Sequence, residues 1–185
     1  MGRAKQLLPV HGKPLLRQVV ESALVEPVSP LIVVLGANAA EIAPCLDGLP
    51  VHIVVNAGWA EGMGSSLRFG METLASIAPA ANRVIIALAD QPELPAGQLA
   101  LLIETGRATG QPIVASESDG VRGPPVLFTS KYFPELLALR GDAGARSLLK
   151  KHADEIAVVT QATALDLDTP ADYAQYLDRS NSGKE

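Results

Sequence analysis

The chain has 185 residues, 48% apolar and 19% charged, which places it within the size and composition of one soluble globular domain and excludes disordered and fibrous classes. A formal charge of −5 excludes the basic stripe with which nucleic-acid binders displace phosphate counterions, so no nucleic-acid partner is expected. The longest apolar runs fall far short of the roughly 20 residues of a membrane span, and no basic-then-apolar leader is recognisable. The expectation is therefore a cytoplasmic protein without membrane association.

The chain opens with Met1-Gly2-Arg3-Ala4-Lys5-Gln6-Leu7-Leu8-Pro9, where Arg3 and Lys5 read either as phosphate-binding cations or as solvated terminal groups. Leu15, Val19 and Ala23, with Leu16, Val20 and Leu24, make a helical stripe, and a continuous apolar run from Leu31 to Gly36 predicts a strand buried on both faces. Cys45 is the single cysteine, which excludes a disulfide within the chain and a cysteine-rich zinc site, and its setting reads as helical packing. A second strand, Val51 to Asn56, runs into Asn56-Ala57-Gly58-Trp59-Ala60-Glu61-Gly62-Met63-Gly64-Ser65-Ser66-Leu67-Arg68. Its glycines suit close backbone approach to a ligand, and Ser65 or Ser66 suits a helix cap.

Leu67, Met71, Leu74 and Ala78 predict the next helix, and Val84 to Ala89 a third strand that delivers Asp90 at its carboxyl end, in Ala89-Asp90-Gln91-Pro92. Ligands of open α/β sheets sit at such strand ends, yet a plain turn explains the same residues equally well. A helical stripe of Leu99, Leu102 and Ile103 precedes a strand from Pro112 to Ser116 and a shorter one around Pro125 to Phe128. Phe133, Leu136 and Leu137 then mark a helix. In Gly141-Asp142-Ala143-Gly144-Ala145-Arg146, Asp142 reads as an N-cap and Arg146 as either surface or a clamp on an anion. After a last strand, Ile156 to Thr160, the segment Asp166-Leu167-Asp168-Thr169-Pro170-Ala171-Asp172-Tyr173 carries two carboxylates at alternate positions, followed by a helix start at Thr169 and Pro170. Residues 179–185 read as a disordered tail behind a single domain of residues 1–178.

Alternating strands and helices predict a three-layer α/β/α, Rossmann-like domain with a mostly parallel sheet. Phosphate-loop, dinucleotide, zinc-protease and nucleophile-elbow motifs are missing, and His11, His52 and His152 lack ligand spacing, so all three read as structural or surface groups.

In their order, Met1-Gly2-x-x-Lys5-Gln6-Leu7-Leu8-Pro9, Gly62 to Leu67, Ala89-Asp90-Gln91-Pro92, Gly123-Pro124-Pro125-Val126, Gly141-Asp142-x-Gly144-Ala145-Arg146 and Asp166-Leu167-Asp168-Thr169-Pro170-x-Asp172 resemble the MobA-like nucleotidyltransferases. Within these the chain looks most like the molybdenum cofactor cytidylyltransferases. The resemblance implies the nucleotide-diphospho-sugar transferase fold and transfer of CMP from CTP to molybdenum-bearing molybdopterin, with pyrophosphate released. It implies Lys5 and Asp90 as catalytic groups, Mg²⁺ on Asp90 and Asp168, and Asn56, Gly62, Ser65 and Ser66 around the nucleotide with Lys5 and Asp90. Arg146 and Asp166 would then meet the acceptor, and a molybdenum hydroxylase would be the client.

Two departures carry expectations of their own. Of the family's opening Leu-Ala-Ala-Gly-x-Ser-x-Arg-Met-Gly strand and phosphate turn, only the closing Met1-Gly2 is present, and Gly123-Pro124-Pro125 stands where the family has Gly-His-Pro. The opening reads either as a start codon set about twenty residues late or as a genuine short form whose sheet carries a gap or exposed edges. The alternatives are a relative using GTP, ATP or another phosphorylated acceptor, and a non-catalytic cofactor-binding protein that serves maturation of a molybdenum hydroxylase.

Overall fold

The computed structural model of the chain describes residues 4–92, 94–161 and 171–176. Arg3, Asp166, Asp168, the Thr169-Pro170 helix start and the tail 179–185 lie outside these residues. A one-turn 3-10 helix (Lys5–Leu7) leads into a short hairpin of β1 (Pro9–Val10) and β2 (Lys13–Pro14), and α1 (Leu15–Leu24) follows, burying Leu15, Leu16, Val19 and Val20 as its apolar spacing predicts. β3 (Ile32–Leu35) pairs in parallel with β4 (His52–Val55) after α2 (Ala39–Ile42) and a 3-10 turn (Ala43–Leu46). Cys45 sits half-buried in that turn, where burial raises its thiol pKa and keeps it a packing group.

α3 (Met63–Ile77), β5 (Arg83–Ile86), α4 (Gln98–Thr109), β6 (Ile113–Ser118), β7 (Val121–Thr129), α5 (Phe133–Leu137), α6 (Ala145–Lys151) and β8 (Ile156–Thr160) complete the order, and residues 171–176 are helical. The larger sheet runs β5-β7-β6-β8. Ile113, Ala115, Val126 and Phe128 face a core with Met71, Leu74, Leu136 and Leu148, while Val114, Leu127 and Val159 face Leu99 and Leu102 on the other side. Helices cover both faces, which makes the three layers of a Rossmann-like α/β domain and explains why these strands read as unbroken apolar runs.

The sheet is mixed: β8 runs parallel to β6, but β7 is antiparallel to both β5 and β6. The hairpin forms because Asp119 (φ 51) and Gly120 (φ 76) supply the positive φ values of a two-residue turn. β7 is also longer than the expected strand around Pro125 to Phe128. Its register against β6 jumps from Ala115↔Val126 to Ser116↔Gly123, so Pro124 and Pro125 fall in an irregularity where the ladder asks for no N–H. The same prolines shorten β5. Ile86 pairs with Val126, and beyond it the expected strand to Ala89 would meet Pro125, which has no N–H to donate.

Among the described residues β3 and β4 form a sheet separate from the larger one. A cavity of about 280 Å³ lies there, lined by Gln6, Val33, Leu35, Gly36 and Ala89. α3 bridges the two sheets, since a Cβ at Gly70 would lie 3.2 Å from Val34 Cγ2 while Met71 and Leu74 pack on the larger sheet's core. No helix among the described residues is long and apolar enough to cross a membrane.

Glu26, 9% exposed, joins the region after α1 to the start of α4: its Oε1 accepts the Gly97 N–H and its Oε2 accepts the Ala100 N–H at 3.2 Å. Gly97, the N-cap residue, has no side chain to do this. Glu26→Ala is expected to cost about 1–2 kcal/mol and to lower the melting temperature by roughly 3–6 °C. A calorimetric shift of less than about 1 °C would show that water caps the helix equally well.

Candidate nucleotide and metal site

β5 ends at Ile86, and the chain continues to Asp90 in a turn at the opening of the sheet. Lys5 Nζ donates to Asp90 Oδ2 at 2.8 Å, across 85 residues of sequence, with the two side chains 31% and 24% exposed. Lys5 is thus an ion-pair partner and not a loose terminal group. The other carboxylate oxygen, Asp90 Oδ1, is covered and has no hydrogen-bond partner. An unsatisfied buried acceptor is costly, and a cation removes the cost.

A hard divalent cation fits this donor set. Among the described residues no group of three or more His, Cys, Asp and Glu could cage a metal, but Mg²⁺ and Mn²⁺ are commonly held by one or two carboxylates together with substrate phosphate oxygens. Asp90 would be one such ligand. Asp168, the expected second carboxylate, lies outside the described residues.

The second group of predicted residues gathers at the end of β4. Asn56, 6% exposed, donates from Nδ2 to Ser65 Oγ at 2.9 Å and to Ser66 Oγ at 3.1 Å, while its Oδ1 accepts the Gly58 N–H at 2.9 Å. Ser65 Oγ lies 2.9 Å from Gly62 O and 3.1 Å from Gly58 O, with a single proton to share between them. Asn56 and Ser65 therefore spend their polar groups on the shape of the loop. The expected serine cap is replaced: α3 begins at Met63 with Gly62 as N-cap, at φ 113 and ψ −178, and no side chain caps it. Nor are the first helical N–H groups all free for a ligand, because Gly64 N–H donates to Gly141 O at 2.8 Å and Ser65 N–H to Gly62 O at 3.2 Å.

That bond to Gly141 exposes a partner the sequence reading missed. A Cβ at Gly62 would lie 2.5 Å from Gly141 C and O, and one at Gly64 would lie 2.8 Å from Arg140 N, so the nucleotide loop and the loop before α6 touch backbone to backbone. Arg68 ties them further, donating to Leu139 O at 3.1 Å and to Glu61 Oε2 at 2.9 Å. The Arg68 hydrogen bonds hold the Glu61 carboxyl below its usual pKa. The signal for this contact was in the sequence as Gly62 and Gly64, read there as room for a ligand; the backbone at Arg140 and Gly141 takes that close approach instead. Trp59, half-exposed, was also missed, and it stands over Gly36, where a Cβ would come within 2.7 Å of Trp59 Cβ.

The cavity wall runs from Ala89, the residue before Asp90, to Gly36, which Trp59 covers. Gly144, not Asp142, is the N-cap residue of α6, and Arg146 lies exposed in its first turn. The Arg146 guanidinium runs along Gly123 of β7, where a Cβ would be 3.4 Å from Nε, so the Gly123-Pro124-Pro125 and Gly141-to-Arg146 segments meet in space. Asp166, its expected companion at the acceptor, lies outside the described residues. The histidines keep to structural places: His11 Nε2 is 3.0 Å from Tyr176 Oη, and His152 Nε2 is 3.1 Å from both Glu135 carboxylate oxygens.

Residues 1–156 match the MobA-like NTP transferase domain. Nicotine blue oxidoreductase of Paenarthrobacter nicotinovorans is 34% identical over 179 residues, covering 91% of this chain and 86% of that protein. Purine catabolism protein PucB of Bacillus subtilis is 28% identical over 186 residues, covering 94% and 87%. The crystal structure of Rv0371c from Mycobacterium tuberculosis superposes with a TM-score of 0.83 at 28% identity, over 96% of this chain and 90% of that one. The same protein in complex with manganese gives a TM-score of 0.78 at 29% identity, over 96% and 93%.

Proposed function

Because the chain belongs to the MobA-like NTP transferase family and is a nucleotidyltransferase, we propose that it transfers CMP from CTP to molybdenum-bearing molybdopterin, giving molybdopterin cytosine dinucleotide and pyrophosphate. The observation that carries the reading is the Lys5–Asp90 pair with its unsatisfied Oδ1. A divalent cation, Mg²⁺ in this reading, would neutralise the triphosphate, and the manganese complex of the related Rv0371c supports the use of a divalent ion.

The chain's own groups have positioning tasks. Asp90, with Asp168, would hold the cation, and Lys5 would offset charge on the phosphates. The loop that Asn56 and Ser65 brace would seat the base against Gly62 and Ser66. Arg146, which makes no ion pair among the described residues, would orient the acceptor phosphate, and Asp166 would meet another part of the acceptor. In-line attack by that phosphate on the α-phosphorus needs alignment and charge neutralisation, and a phosphate monoester is already largely ionised near neutral pH, so no general base is required. A relative named for purine catabolism is in keeping with a client molybdenum hydroxylase of the xanthine dehydrogenase type.

The name of the 34% identical relative favours a second reading, an oxidoreductase acting on a nicotine-blue-type dye. The two readings separate in one experiment: pyrophosphate release from CTP, GTP, ATP and UTP with molybdenum-loaded molybdopterin, beside dye reduction by a hydride donor. CTP is expected to exceed GTP by about tenfold or more. Faster release from GTP would overturn the choice of base, and dye reduction without pyrophosphate would establish the oxidoreductase. Neither activity, with cofactor still bound, would mark a non-catalytic maturation protein.

A further inference from the structure

We infer that Lys5 is an exchangeable counter-cation: its ammonium holds the Asp90 carboxylate while the site is free of nucleotide, and it leaves Asp90 for the triphosphate when metal and nucleotide bind together. The inference rests on Asp90 being a metal carboxylate, as proposed above.

Three observations support the exchange. The Lys5 ammonium satisfies only one carboxylate oxygen, at 2.8 Å, and leaves covered Oδ1 without a donor, so the carboxylate is under-neutralised and suits a denser positive charge. The pair is partly solvated, at 31% and 24% exposure, so neither charge is sealed in the interior. Lys5 also stands on a single 3-10 turn that buries none of its residues, so its side chain can swing without disturbing the core. Its flexible four-carbon stem presents a point charge that can be redirected, which a planar guanidinium would do less readily.

The consequence is a coupling between ligands. Lys5 competes with a bare divalent ion for Asp90, yet once a triphosphate is present its charge is needed on the phosphates. Metal and nucleotide should therefore bind cooperatively, each raising the affinity of the other by the same factor.

Free Mn²⁺, read by electron paramagnetic resonance, tests this on the full chain with and without CTP. Without CTP, Lys5→Met is expected to bind Mn²⁺ about five- to tenfold more tightly than the unchanged protein. Lys5→Arg, with its two-pronged grip on the carboxylate, should bind it more weakly. With CTP the order should reverse, Lys5→Met holding Mn²⁺ less tightly than the unchanged protein. Equal or weaker Mn²⁺ binding by Lys5→Met without CTP, while Asp90→Asn abolishes binding, would overturn the exchange and leave the metal reading standing. Undiminished Mn²⁺ binding by Asp90→Asn would overturn the metal reading itself.

Discussion

Asp90→Asn is expected to lower the rate of pyrophosphate release by about a hundredfold or more while leaving the fold in place. Asn matches Asp in shape, but a neutral amide binds a hard divalent ion poorly, and charge neutralisation at the α-phosphorus is what the proposed reaction most needs. The structural cost is small. Lys5 loses its partner at a site where both groups are partly exposed, and such pairs contribute on the order of 1 kcal/mol or less. Steady-state pyrophosphate release measured beside a thermal melt gives both halves of the result. Activity within about threefold of the unchanged protein would remove Asp90 from the mechanism.

Gly62→Ala should be the most damaging single methyl group in the loop. At φ 113 and ψ −178 the backbone occupies a region essentially restricted to glycine, which costs a side chain about 1–3 kcal/mol. The added Cβ would also meet Gly141 C and O at 2.5 Å and Asp142 Oδ1 at 2.7 Å, well inside contact distance and mostly against backbone. The two loops must part, so the total loss is expected to reach about 3–5 kcal/mol, with KM for CTP raised by about tenfold or more. Gly48→Ala is the control: Gly48 also has a positive φ, 80, but a Cβ there meets nothing within 4 Å. It should lose only the backbone part and keep the KM for CTP. Equal stability losses in the two variants would show that Gly141 gives way freely and that the loops are not braced against each other.

Much of the architecture could be read locally. The strands expected from Leu31 to Gly36, Val51 to Asn56 and Ile156 to Thr160 appear as Ile32–Leu35, His52–Val55 and Ile156–Thr160, because a strand covered on both faces needs an unbroken apolar run, which few other structures tolerate. The β6–β7 hairpin was also within reach, since Asp119-Gly120 is a strong two-residue turn signal. Its second strand was expected only around Pro125 to Phe128, because Gly123-Pro124-Pro125, which occupies a ladder irregularity, interrupts the strand pattern. Side-chain caps, Ser65 or Ser66 and Asp142, were expected where glycines stand, at Gly62 and Gly144, because a glycine cap carries no side-chain signature.

By itself, then, the sequence determined the fold class, the strand-end position of Asp90 and the glycines that a tight loop requires, since each of these follows from nearest neighbours and periodicity. The pairings were left to the tertiary structure: Lys5 with Asp90, Gly62 and Gly64 with the backbone at Arg140 and Gly141, Arg146 along Gly123, and the cavity between β3 and the segment after β5. Lys5, on the opening 3-10 turn, and Asp90, in the turn after β5, are 85 positions apart and meet only in the folded chain, and no local pattern records that they become neighbours.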